Sequence, residues 1–176
     1  MTQRQEQADQ DLTSGPRLRI TITGCPQGME NAVQKAARHA LETGGHDRGE
    51  LEVAIVSAQQ MRRQHAEWMG EDSTTDVLSF DLREQAEAGR VDGQLLVCKS
   101  VARRRARSRK TDWRGELLLY VVHGCLHLCG LDDGDQASAE NMHRLEDEIL
   151  RDLGWGPVFS SGGQSAKTEP TDRSGK

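Results

Sequence analysis

The chain has 176 residues, 23 lysines and arginines against 28 aspartates and glutamates, a net charge of -5 and 35% apolar residues. That length fits one domain with tails. No run reaches the ~20 apolar residues of a membrane span, and the polar N-terminus has no apolar stretch of the secretory-signal kind.

The four cysteines, Cys25, Cys98, Cys125 and Cys129, are not spaced as a disulfide scaffold, and reduced thiols in a cytoplasmic protein are expected. Residues 1–16 hold only Met1, Ala8 and Leu12 from the apolar set, and a disordered tail is expected there. Residues 17–23 alternate Leu18, Ile20 and Ile22 with polar partners, the period of a half-buried strand. Apolar positions 29, 32, 33, 36, 37, 40 and 41 make the stripe of an amphipathic helix, stopped by Gly44 and Gly45. Residues 51–56 read as a strand, and Ser57 as the N-cap of a helix reaching about Met69. Strands are expected at 75–80 and 93–98, with a polar loop over 83–90 between them. A basic helix follows over 100–110, an apolar helix over 114–129 ending at Gly130, and a last helix over 137–153 closed by Gly154. Residues 157–176, polar and rich in Gly and Ser, read as a second disordered tail. The order β-α-β-α-β-β-α-α-α over 17–156 predicts a single small α+β domain: about four strands in a mixed sheet, with helices packed on it.

The strongest chemical signal is HGCLHLCGLDD at 123–133. On a helix, His123 and His127 stand one turn apart on one face, where two imidazoles can bind one Zn²⁺ at ~2.0–2.1 Å per nitrogen. Gly130 can end that helix in a left-handed turn, and the chain can then fold back to bring a third ligand from Asp132, Asp133 or Asp135. Three protein ligands leave one position open, the catalytic type of zinc site. Cys125 and Cys129 lie roughly 200° round the helix from the histidines, so they are expected to pack on the sheet and not to join the ion. Zinc peptidases of the H-E-x-x-H pattern place their general base where this chain has Gly124, which disfavours a peptidase. Glu116, seven residues before His123, shares its helix face. It reads either as a partner orienting an imidazole or as a solvated first-turn acid.

These residues resemble the YbeY family of metal-dependent endoribonucleases of ribosomal RNA maturation. The family pattern H-G-x-L-H-L-x-G-Y-D-H corresponds to HGCLHLCGLDD. T-D-V-L-S-F stands intact at 75–80, and a Met followed by E-x-x-I-L corresponds to Met142 and Glu146 to Leu150. The resemblance spans roughly residues 18–154. It implies an α+β fold and an ion on His123, His127 and position 133. Two departures stand out. The family's third ligand is His, where this chain has Asp133, a harder oxygen donor that still suits zinc. The family usually carries an Arg, implicated in activity, six residues before the Thr of T-D-V-L-S-F, where this chain has Met69. Within that block, Asp76 reads as structural ahead of catalytic, and Ser79 has no base to make it a nucleophile.

Residues 99–114 contain eight cations and one acid on a chain of net negative charge. Arg103, Arg104, Arg105, Arg107, Arg109 and Lys110 are therefore expected to bind the RNA backbone. With six aromatic residues in the chain, base stacking cannot be widespread, and Trp113 reads as a core anchor. The expected function is a single-strand-specific endoribonuclease with one Zn²⁺ per chain, acting on a ribosomal RNA precursor. Contacts to ribosomal proteins or the small subunit are expected with it, and none to membrane. The alternative is a non-catalytic ribosome assembly factor, binding RNA or a ribosomal protein, with a structural metal.

Overall fold

The computed structural model describes residues 17–156. The tails expected over 1–16 and 157–176 lie outside the described residues. The described residues form four strands, β1 (Arg19–Thr23), β2 (Arg48–Val56), β3 (Val77–Asp81) and β4 (Arg90–Cys98). They also form five helices, α1 (Glu30–Thr43), α2 (Ala58–Met69), α3 (Lys99–Arg109), α4 (Trp113–Leu128) and α5 (Gln136–Asp152). This is the α+β order that the sequence pattern predicts.

The strands lie in one mixed sheet, β1-β2-β4-β3, with β1, β2 and β4 parallel and β3 antiparallel to β4. Parallel neighbours need crossover connections, which α1 supplies between β1 and β2. In β2, Gly49, Leu51, Val53 and Ile55 face the core, while Glu50 and Glu52 point to solvent. The paired strands β2 and β4 each begin three residues earlier than their apolar patterns indicate. Core-facing glycines hide the alternation there: a Cβ on Gly49 would come within 1.9 Å of the Val91 carbonyl oxygen, so no larger residue fits that position. The loop expected over 83–90 is shortened accordingly.

Helix α4 is the core of the domain. Twelve of its 16 residues are buried, and it touches α1, α3, α5, β3 and β4. A helix apolar all round is one surrounded by its own protein. Truncating Leu117 or Leu118, both fully buried, to Ala would cost about 2–5 kcal/mol. The helix is closely registered on the sheet. A Cβ on Gly124 would lie 2.9–3.0 Å from Leu95, Ser79 and Val77. Fixing α4 in this way leaves its remaining partly open stripe, which carries His123 and His127, turned toward α5.

Local capping sets the ends of the helices that matter. Ser57 and Gln60 form a reciprocal capping box at the start of α2. Asp112 caps α4, accepting from the Arg114 backbone N–H, and Asp135 caps α5, accepting from that of Ser138. At the far end of α4, Gly130 adopts φ +87°, and the Gly130 and Leu131 N–H groups bond back to the carbonyls of His127 and Leu126. This is the left-handed turn expected at that glycine, here closed as a Schellman motif, and it reverses the chain toward α5.

Candidate metal centre

The turn at Gly130 also aims an imidazole. It carries the Leu131 carbonyl back over α4, where it lies 2.9 Å from His127 Nδ1. A carbonyl only accepts, so Nδ1 carries the proton and Nε2 is left with its lone pair. His123 is held in the same sense from α5: its Nδ1 lies 2.6 Å from Oε1 of Glu146, a wholly buried carboxylate. Both Nε2 atoms then meet at 3.0 Å.

Asp133 completes the group. Its carboxylate oxygens lie 3.8 Å from His123 Nε2 and 3.7 Å from His127 Nε2. Around a tetrahedral ion with bonds of 2.0–2.1 Å, ligand atoms stand about 3.3 Å apart; the two Nε2 atoms are 3.0 Å apart, and one ligand atom from each of the three residues lies within 4.8 Å of the others. Two lone pairs and a carboxylate thus face one point with no proton assigned between them. That donor set fits a divalent cation. The other two aspartates of the turn are otherwise engaged. Asp132 accepts from the Asp133 and Gly134 N–H groups, and Asp135 accepts from the N–H and hydroxyl of Ser138. Among the three acids left open by the sequence, Asp133 is the one brought to the imidazoles.

Electrostatics around the histidines favour a cation. Burial works against charge on His123, but the hydrogen bond and charge of Glu146, with Asp133 and Asp76, outweigh it and raise its pKa. The cluster opens into a cavity of about 290 Å³. Glu116, Tyr120 and His123 line it from α4, Arg105 and Arg109 from α3, and Glu146 from α5. Glu116 is neither solvated nor bonded to an imidazole. It is 1% exposed and accepts from Arg109 Nη1 at 3.0 Å. Asp76, also in the wall, spends Oδ1 on its neighbours Thr75 and Val77.

The remaining residues fall away from the cluster. Cys125 is fully buried. Cys129 is partly buried against the core, meeting Gly44 just past α1 and the Leu41 carbonyl. Gly124 is pressed against the sheet, so the peptidase base position faces β3 and not the ion. Arg103, Arg104 and Arg107 of α3 and the following Lys110 are exposed. Arg103, Arg107 and Lys110 line a separate hollow with Trp113, over whose ring the Arg103 guanidinium sits at 4.8 Å. Met69 is 59% exposed at the end of α2 and does not line the metal cavity.

Against known proteins, the family model described as Endoribonuclease YbeY matches residues 20–154. The chain belongs to that family. It is 36% identical over 149 residues to an Endoribonuclease YbeY of Anaeromyxobacter sp. (strain Fw109-5), covering 82% of this chain and 78% of the relative. It is 34% identical over 131 residues to one from Micrococcus luteus, covering 70% and 83%. A solution structure of a Thermotoga maritima protein superposes with a TM-score of 0.56 at 24% identity, covering 86% of this chain and all of the other, which supports the fold.

In this YbeY-family chain, sequence reasoning missed Glu146 as the partner of His123. A signal was present. Met142, Glu146, Ile149 and Leu150 recur at helical spacing among the buried residues of α5, and a wholly buried acid among them must have a partner. It also missed Tyr120 and His143 as cavity-lining residues, which nothing in their sequence context marks.

Proposed function

We propose that the chain is a metal-dependent endoribonuclease that cuts single-stranded RNA in the cytoplasm, on ribosomal RNA precursors and in ribosome quality control. In this reading one Zn²⁺ per chain rests on His123, His127 and Asp133. Ribosomal proteins or the small subunit are its partners. Family membership supports RNA cleavage. The observation that carries the metal chemistry is the pair of Nε2 atoms, each freed by an Nδ1 partner and both facing Asp133. A divalent ion bound there supplies Lewis acidity, polarising a phosphoryl oxygen and making water more acidic.

The chain's own residues do the rest. Leu131 and Glu146 fix the two imidazoles. Gly124 holds α4 on the sheet, so the ligands keep their spacing. Arg103, Arg104, Arg105, Arg107, Arg109 and Lys110 attract the polyanionic backbone along α3, and their fork geometry suits phosphate oxygens.

The test is elemental analysis of untagged wild type beside Asp133→Ala, followed by cleavage of a labelled single-stranded RNA. The reading expects about one zinc per wild-type chain, lost in the variant, and no cleavage above background in His127→Ala. Cleavage retained by metal-free His127→Ala refutes it. Met69, at the position of the family's usual Arg, keeps a second reading in view, an assembly factor with a structural metal. That reading predicts ligand variants with lower melting temperatures and a wild type that cuts nothing.

A further inference from the structure

The basic segment of α3 is not one surface. Arg103, Arg107 and Lys110 recur at helical spacing on one face and line the hollow beside Trp113. Arg105 and Arg109, one turn apart on another face, line the metal cavity. We infer that Arg105 and Arg109 are substrate-positioning residues that hold the phosphodiester against the metal cluster, while Arg103, Arg107 and Lys110 grip RNA outside it. This deepens the endoribonuclease reading and rests on it.

Three observations support the division. First, charge. The cavity wall carries four carboxylates, Asp76, Glu116, Asp133 and Glu146, against the two guanidiniums. A phosphodiester cannot approach four carboxylates without compensation, and one divalent ion offsets only half of them. The two arginines supply the remainder. Second, anchoring. Arg109 Nη1 is tied at 3.0 Å to Glu116, which is buried and cannot follow solvent. A guanidinium anchored on a buried carboxylate keeps its place in the cavity wall, so less side-chain entropy is lost when it meets a phosphate. Third, alignment. Glu116, Tyr120 and His123 succeed one another along one stripe of α4, so the anchored arginine and the metal ligand share a wall. Tyr120 contributes a neutral O–H donor, since burial and the nearby carboxylates push its pKa well above the ordinary phenol value.

The experiment is cleavage of a fluorescent single-stranded RNA oligonucleotide by zinc-loaded protein, with kcat and KM measured separately and zinc content checked in every variant. Arg105→Gln is the principal variant, because the side chain is exposed and its loss leaves the core untouched. Arg109→Gln alone strands the buried Glu116, so Arg109 is tested as Arg109→Gln/Glu116→Gln. Either change is expected to lower kcat about a hundredfold, on the scale of removing one positioned donor from a developing charge, with zinc still one per chain. Arg105→Lys is expected to restore part of that loss. Arg103→Gln/Arg107→Gln/Lys110→Gln is expected to raise KM and flatten the salt dependence of binding. An Arg105→Gln enzyme with wild-type kcat, or one whose defect lies wholly in KM, overturns the division. Wild type that cleaves no faster than His127→Ala overturns the endoribonuclease reading itself, and this inference with it.

Discussion

Near the N-terminal end of α4, Glu116 is 1% exposed and accepts from an arginine of α3. Near the other end, the wholly buried Glu146 of α5 accepts from His123 Nδ1. Both carboxylates line one cavity, and each leaves its second oxygen, Oε2, without a hydrogen-bond partner in the structure. Their surroundings match closely; their partners do not. An imidazole whose Nδ1 is held by a carboxylate gains a more basic Nε2, which suits a metal. A guanidinium held by a carboxylate keeps its charge and gains a direction, which suits a phosphate. Burial alone therefore does not assign a carboxylate its role. What it touches does.

The sharpest test of this contrast replaces each acid by leucine. Glu146→Leu is expected to weaken zinc binding about 10- to 100-fold, the usual cost of losing a partner behind a ligand histidine. In the metal-free protein the same change leaves His123 Nδ1 without its acceptor, so the fold is expected to lose stability, most of all at low pH where the pair contributes. Glu116→Leu is expected to keep zinc affinity and to lose cleavage, because Arg109 is released. Zinc titration with a competing chelator, run beside thermal melts, separates the two. Equal zinc affinities in the two variants would end the distinction.

A second prediction concerns the register that brings α4 to both carboxylates. Gly124→Ala places a methyl 2.9–3.0 Å from Leu95, Ser79 and Val77. Overpacking of this kind costs about 1–3 kcal/mol, offset by roughly 1 kcal/mol from the better helix former. A net loss of about 1 kcal/mol is expected in denaturant melts. Zinc affinity should fall as well, since the helix must lift from the sheet. Stability gained on substitution would show that the contact with β3 does not set the ligands.

A third prediction uses pH. His123 has its pKa raised in the fold, so in metal-free protein its pair with Glu146 contributes stability that is fully present below the unfolded value of about 6.5. That contribution is lost as pH rises through the folded value. Chelator-treated protein should therefore melt at lower temperature as pH goes from about 6 to about 8. Zinc-loaded protein should show the opposite slope over the same range, because protons compete for Nε2. Glu146→Leu should flatten the first slope. Parallel slopes with and without zinc would mean that His123 is not a ligand.

Much of the fold was legible because its elements follow simple periods. The stripe of α1 and the alternation of β1 need only local rules, and Gly130 announced the turn that carries Asp133 back. The site was legible where residues lie close in sequence, as His123, His127 and Asp133 do. It was not legible where partners come from elsewhere. Glu146 is 23 residues from His123, and no local rule pairs them. Glu116 was read on the correct helix face but with the wrong partner, because the packing of α3 against α4 decides that Arg109 reaches it. The split of the basic helix into two faces follows from the same packing: the spacing of its cations was visible in the sequence, but the cavities on either side were not.

The smallest effect expected is at Lys110, which ends α3 with φ +57°, the one positive-φ residue other than glycine among those described. An L-residue there costs about 1 kcal/mol, which glycine would relieve. Glycine also enlarges the entropy of the unfolded chain and removes a cation from the helix C-terminus, where the dipole favours one. Lys110→Gly should therefore gain only a few tenths of a kcal/mol, up to about 1 kcal/mol. On a single strand, one lost phosphate contact lowers the slope of log affinity against log salt by about 0.7. Lys110→Gly is thus expected to melt slightly higher and bind RNA with a shallower salt dependence, at unchanged kcat under saturating RNA. An unchanged salt slope would remove Lys110 from the outer surface and leave Arg103 and Arg107 to define it.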